Sequence, residues 1–146
     1  MRVYVPVVLS ELTAAVSGRW EPESGYAVTG RLLDIAADDD EELLAEQVRD
    51  IAAADAVVEL RSPRRAVVVV DYPRADVKPV PNGHPAAVSL EGRVDPSTVA
   101  CAFVDEEDAA EDAKAAAKGD ADALERLEAR DLLWFDATEI ETIGAR

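Results

Sequence analysis

The chain has 146 residues, enough for one domain with its own buried core, and 49% of them are hydrophobic, which excludes general disorder. With 15 Lys and Arg against 31 Asp and Glu, the formal charge is −16, which favours solubility and argues against direct binding to nucleic-acid phosphates. A single cysteine, Cys101, and a single histidine, His84, exclude an internal disulfide and a standard structural zinc site.

In chain order, Arg2–Val8 alternates as a strand, with Val3, Val5 and Val7 on one face and Tyr4 and Pro6 on the other. Pro6 lacks a ladder donor, so the strand is expected to end near it. The N-terminus turns polar too soon for a signal peptide or a membrane span, so a cytoplasmic protein with no membrane association is expected. Ser10 is placed to cap a short helix through Val16, closed by Gly18, and residues 19–25 read as loop. Tyr26–Val28 reads as a short extended piece, and Thr29 as the cap of a helix through Ala36. The longest predicted helix runs from Asp40 to Leu60, with Leu44, Val48, Ile51 and Val58 as its apolar stripe and Asp38 with Glu41 at capping-box spacing.

Arg61-Ser62-Pro63 breaks that helix. Arg64–Tyr72 follows, with four consecutive valines and no polar alternation, as expected of a central strand covered on both faces. A strand, a helical crossover and a second strand predict a parallel, right-handed pairing of Arg2–Val8 with Arg65–Asp71. The proline-rich passage 73–85 reads as irregular loop rather than hairpin, because prolines flank Asn82-Gly83. Ala86–Leu90 and Thr98–Asp105 read as two further strands. Glu106–Lys118 reads as an alanine-rich helix ended by Gly119, and Asp120 as the cap of another with Leu124 and Leu127 inward. The expected architecture is a single α+β domain over residues 1–146, a mixed central sheet of about four strands, two of them parallel, flanked by four or five helices.

No dinucleotide fingerprint, P-loop, serine elbow or His-Glu-x-x-His motif occurs. The sharpest chemical pair is Asp71 and Asp105, each at the C-terminal end of a strand that reads as central. If those strands are parallel neighbours, the carboxylates converge as a Mg²⁺ site, where α/β sheets place ligands. Otherwise Asp71 starts a turn into Pro73 and Asp105 caps the next helix. The acidic runs Asp38–Glu42 and Asp105–Asp112 suit helix starts. His84 reads as a loop residue, Cys101 as a core residue, and the arginines at 61, 64, 65 and 74 as split between the two ends of the valine strand. Trp20, Trp134 and Phe135 are the candidate binding residues, set against the commoner reading of aromatics that close the core.

Met-Arg-Val-Tyr-Val-Pro at the start, Tyr26-Ala27-Val28-Thr29, the acidic Asp38–Glu42, Arg-Arg-Ala-Val-Val-Val-Val, Val99–Asp105 and Leu132-Leu133-Trp134-Phe135 occur together, in this order. In that combination the chain resembles an actinobacterial family of small proteins classed as a domain of unknown function. In that family the late cluster reads Leu-Leu-Trp-Tyr-Ala-Thr-Gln-Glu, whereas here it departs at Phe135 and Asp136. The resemblance implies a cytoplasmic bacterial protein and carries over no activity, cofactor or site residue.

With no catalytic constellation, an acidic surface and an apolar late cluster, the leading expectation is a non-catalytic interaction or regulatory protein without cofactor, binding a protein partner or a second copy. The alternative is a Mg²⁺- or Mn²⁺-dependent enzyme acting on a phosphate-containing substrate through Asp71 and Asp105. A third reading makes the acidic face a nucleic-acid mimic for a basic protein.

Overall fold

A computed structural model describes residues 1–36 and 40–144. Among them, seven strands form one sheet: β1 (Arg2–Pro6), β2 (Ser24–Tyr26), β3 (Ala66–Asp71), β4 (Val77–Pro79), β5 (Ala87–Leu90), β6 (Val99–Val104) and β7 (Leu133–Asp136). Their order is β4-β5-β2-β1-β3-β6-β7. Five α-helices accompany them: α1 (Gly30–Ile35), α2 (Glu41–Val58), α3 (Ala110–Ala117), α4 (Ala121–Glu128) and α5 (Ile140–Gly144). A long 3₁₀ segment, Leu9–Val16, follows β1.

Every neighbouring pair in this sheet is antiparallel, so the expected parallel pairing of the first strand with the valine strand is wrong. The reason lies in β2. Tyr26 pairs with Tyr4, so the chain reverses once before the helical crossover begins. The crossover through α1 and α2 therefore links β2 to β3, which run the same way on either side of β1. The parallel relation exists, but between strands that do not touch. The expected count of strands also falls short, because β2, β4 and β7 are three or four residues long and carry little pattern of their own. The proline passage is a hairpin after all: Val77, Lys78 and Pro79 pair with Leu90, Ser89 and Val88, and Asn82 turns the chain at φ 63°.

The valine strand is central as expected. Val68 and Val70 join Val3 and Val5 on the face covered by Leu12, Ala15, Ile140 and Ile143, from the 3₁₀ segment and α5. Val67 faces the other way, against Ala52 and Ala53 of α2. Behind α2, a third cluster of Val57, Ala109, Ala113 and Leu127 seats α3 and α4. Ser10 does not cap the first helix, since the segment begins at Leu9 with no side-chain cap. Thr29 caps α1 and also donates to the Pro85 carbonyl at 2.6 Å. The proposed Asp38–Glu41 capping box lies outside the described residues; α2 is capped by Asp40, whose carboxylate accepts from the N–H groups of Glu42 and Leu43.

The stripe of α2 also differs from its expectation. Leu44 and Val48 are buried, but Ala52, Ala53, Ala56 and Val57 continue the inward face, leaving Ile51 half-buried and Val58 exposed. Alanines let the helix approach the sheet closely, and the larger Ile51 and Val58 turn outward.

Candidate functional site

The sequence-level pair does not meet. β3 and β6 are antiparallel, so their C-terminal ends point in opposite directions. The Asp105 N–H donates to the Arg65 carbonyl at the start of β3, and Asp71 lies six residues further on, roughly 20 Å at the strand rise. Each carboxylate has its own arginine instead. Asp71 accepts from Arg2 Nε and Nη2 at 3.1 and 3.3 Å, with both side chains about half exposed. That pairing raises the Arg2 guanidinium above its usual range.

Asp105 is 1% exposed and Arg65 2%. Arg65 Nε donates to Oδ2 and Nη2 to Oδ1, both at 2.8 Å, and the Arg65 backbone N–H adds a third bond to Oδ2 at 3.0 Å. Nη2 also reaches the Arg130 carbonyl at 3.2 Å. This fork ties the entry of β3 to the exit of β6. Neither the metal site nor the helix cap anticipated for Asp105 is its role, because both carboxylate oxygens are spent on Arg65. Among the described residues, no cluster of three or more His, Cys, Asp or Glu is placed to hold a metal ion.

The aromatic candidates separate. Trp20 is buried in the main core, with its carbonyl accepting from Val94 N–H. Phe135 packs half-buried against the same core. Trp134 points to the opposite face and is 57% exposed, with Leu133 beside it at 39%. The strand alternation across Leu133–Asp136 produces this split. Opposite Trp134 on β6 is Phe103, and Arg49 of α2 lies over the Phe103 ring, 5.1 Å from its centroid. Cys101 lies next along that face; burial pushes its thiol up, only partly offset by Trp134 and Arg2, as befits an inert core cysteine. The sequence reading missed Phe103 as the cross-strand neighbour of the tryptophan, and Arg49 over the Phe103 ring. The available signal for a strand there was a short run of four apolar residues, two of them aromatic, bounded by Asp131 and Asp136.

The two edges of the sheet are built differently. β4 has three residues, including Pro79, and its Lys78 pairs with Glu91 at 3.3 Å; short, proline-bearing and lysine-bearing edges resist further pairing. β7 has no proline and no lysine. At its last residue, the Asp136 carboxylate accepts from Thr138 N–H and Oγ1, and Glu139 accepts the Asp136 N–H at 3.0 Å. Those Thr138 bonds hold the Asp136 carboxyl below its usual range. Because the Asp136 N–H is engaged with Glu139 rather than with β6, alternation turns the N–H and C=O of Trp134 toward the open side.

His84 Nδ1 accepts from the Ala86 N–H at 3.0 Å, and the ring lies edge-on to Tyr26. Among the described residues, no helix is long and apolar enough to cross a membrane.

No curated protein and no solved structure matches this chain. The profile of a family of unknown function, DUF6912, matches residues 1–143, and the chain belongs to that family.

Proposed function

We propose that this protein is a non-catalytic interaction protein that pairs with a second copy of itself along β7. The observation that carries this reading is the exposed Trp134 on an open edge without proline or lysine. Across a two-fold axis, one residue exchanges both backbone bonds with its counterpart, and Trp134 has both groups available. A large aromatic on such an edge has the character of an interface hot spot. The surrounding face carries both signs, Arg2 and Arg49 beside Asp71, Asp50 and Asp136, so two copies meet complementary charge locally.

The charge of −16 per chain opposes the pairing at long range, and salt screens that repulsion. The dimer therefore tightens as ionic strength rises. Light scattering on the eluting protein should give twice the 15.6 kDa chain mass. Trp134→Ala should weaken the dimer by about 2 kcal/mol or more, roughly 30-fold, with little change in the stability of the fold. A variant that loses stability at unchanged mass would place Trp134 in the structural role and contradict the reading.

A further inference from the structure

Ile51 and Val58 are large apolar side chains on the outward face of α2, and they do not lie idle. With Ala54 they line a groove of about 340 Å³, walled by Tyr26 of β2 on one side and Glu128 of α4 on the other. The spacing of positions 51, 54 and 58 makes one helical stripe. A second hollow of about 300 Å³ shares Asp55 with the first and continues past Leu60, which is also exposed, toward Trp20 and Pro22. The apolar path thus runs on beyond the end of the helix.

The rim carries one sign. Asp50, Asp55 and Glu128 line the first hollow and Glu11, Glu21, Glu23 and Asp55 the second, with no lysine, arginine or histidine lining either. Arg49 and Arg93 pair with Asp50 and Glu21 from outside the lining. The Tyr26 hydroxyl donates to Asp55 Oδ2 at 2.8 Å and leaves that carboxylate its remaining lone pairs.

We infer that this groove docks an amphipathic, Lys/Arg-rich helical segment of a partner protein, its apolar stripe on Ile51, Ala54 and Val58 and its cations on the acidic rim. A helix stripe at three- and four-residue steps is the complement of another helix. The charge complementarity sets the partner's sign. A second copy of this chain does not fit, because none of α1 to α5 carries more than one lysine or arginine. This inference stands apart from the β7 dimer, since its apolar floor is Ile51, Ala54 and Val58 and its lining includes neither Trp134 nor Leu133; the two share only Asp50 at the groove's edge.

The test uses the full chain and two synthetic peptides of about 15 residues, long enough to hold a helix. Both contain only leucine and lysine in equal composition; one is ordered with an apolar face and the other reordered to have none. The amphipathic peptide should bind at least about tenfold more tightly, with affinity falling as salt rises. Val58→Glu adds negative charge while removing the stripe, so it should weaken that binding about tenfold. Leu43→Glu, on a different part of α2, and Trp134→Ala should leave it unchanged. Equal affinity for the two peptides, no binding of either, or unchanged or tighter binding by Val58→Glu would overturn the inference, because each describes an acidic surface without a groove.

Discussion

At the scale of single residues, the Arg65–Asp105 fork has the strongest consequence. A buried ion pair is not in itself a large source of stability, since desolvation offsets most of the attraction, but breaking one side leaves a charge stranded. Asp105→Asn should therefore destabilise the fold by roughly 3–5 kcal/mol in urea denaturation. Replacing both partners with apolar residues of similar volume should cost clearly less than the single change. Tyr72 presents the reverse case. It is buried, and its hydroxyl is, among the described residues, a buried polar side-chain atom without a hydrogen-bond partner. Desolvation, with Asp76 nearby, pushes its phenol up to about 12 from 10. A tyrosine raised in the folded state keeps its proton where the unfolded chain has lost it. Its contribution is whole below pH 10 and is lost as pH rises from 10 toward 12. Tyr72→Phe should stabilise the protein by about 1 kcal/mol at neutral pH and reduce the loss of stability above pH 10. Tyr26, raised by burial and by its bond to Asp55, retains its own share of that alkaline loss in the variant. Thermal melts at pH 7 and pH 11 on both proteins check this; an identical alkaline drop would contradict it.

Among the elements, two helix caps were legible from residue type, whereas Ser10 and Asp105 do not cap the helices expected of them. Thr29 and Asp120 cap α1 and α4 as their residue types and positions predict. Asp120 accepts from Asp122 and Ala123 N–H, and Gly119 just before it takes a positive φ of 96°, ending α3. Asp120→Ala should cost about 0.5–2 kcal/mol, read from the urea midpoint. The stripe of α2 was less legible. Hydrophobicity alone favours Ile51 and Val58 for the inner face, but the sheet beneath α2 carries Tyr26, Val67 and Phe103, and alanine is what lets the helix sit close to them. Packing volume decided the rotation, and it left Ile51 and Val58 to line the groove. β7 was hidden for a different reason. Leu132–Phe135 reads as one apolar cluster, yet pairing with β6 sends Phe135 inward and Trp134 out.

For the molecule as a whole, the valine strand did mark the centre of the sheet, because unbroken valine on both faces has no other stable home. What it did not carry was direction. Strand polarity depends on how many times the chain reverses before returning, and the three-residue β2 reversed it once more than its sequence signals. That single reversal sends Asp71 and Asp105 to opposite ends of the sheet and replaces the imagined metal site with two separate arginine pairs. Trp134, on which the proposed dimer rests, was singled out from composition rather than topology, so the reading of it did not depend on strand direction. The acidic balance of the chain should then act on the two proposed contacts with opposite sign: β7 pairing is expected to strengthen as salt screens repulsion, and groove binding of a basic helix to weaken.

The most direct measurement of the central claim is the molar mass of the unmodified chain by light scattering, across a range of protein concentrations at low and at high salt. The account predicts a concentration-dependent rise from 15.6 kDa to twice that mass, with the midpoint moving to lower concentration as salt increases. A mass that stays at 15.6 kDa throughout, or a dimer that comes apart on adding salt, would contradict it.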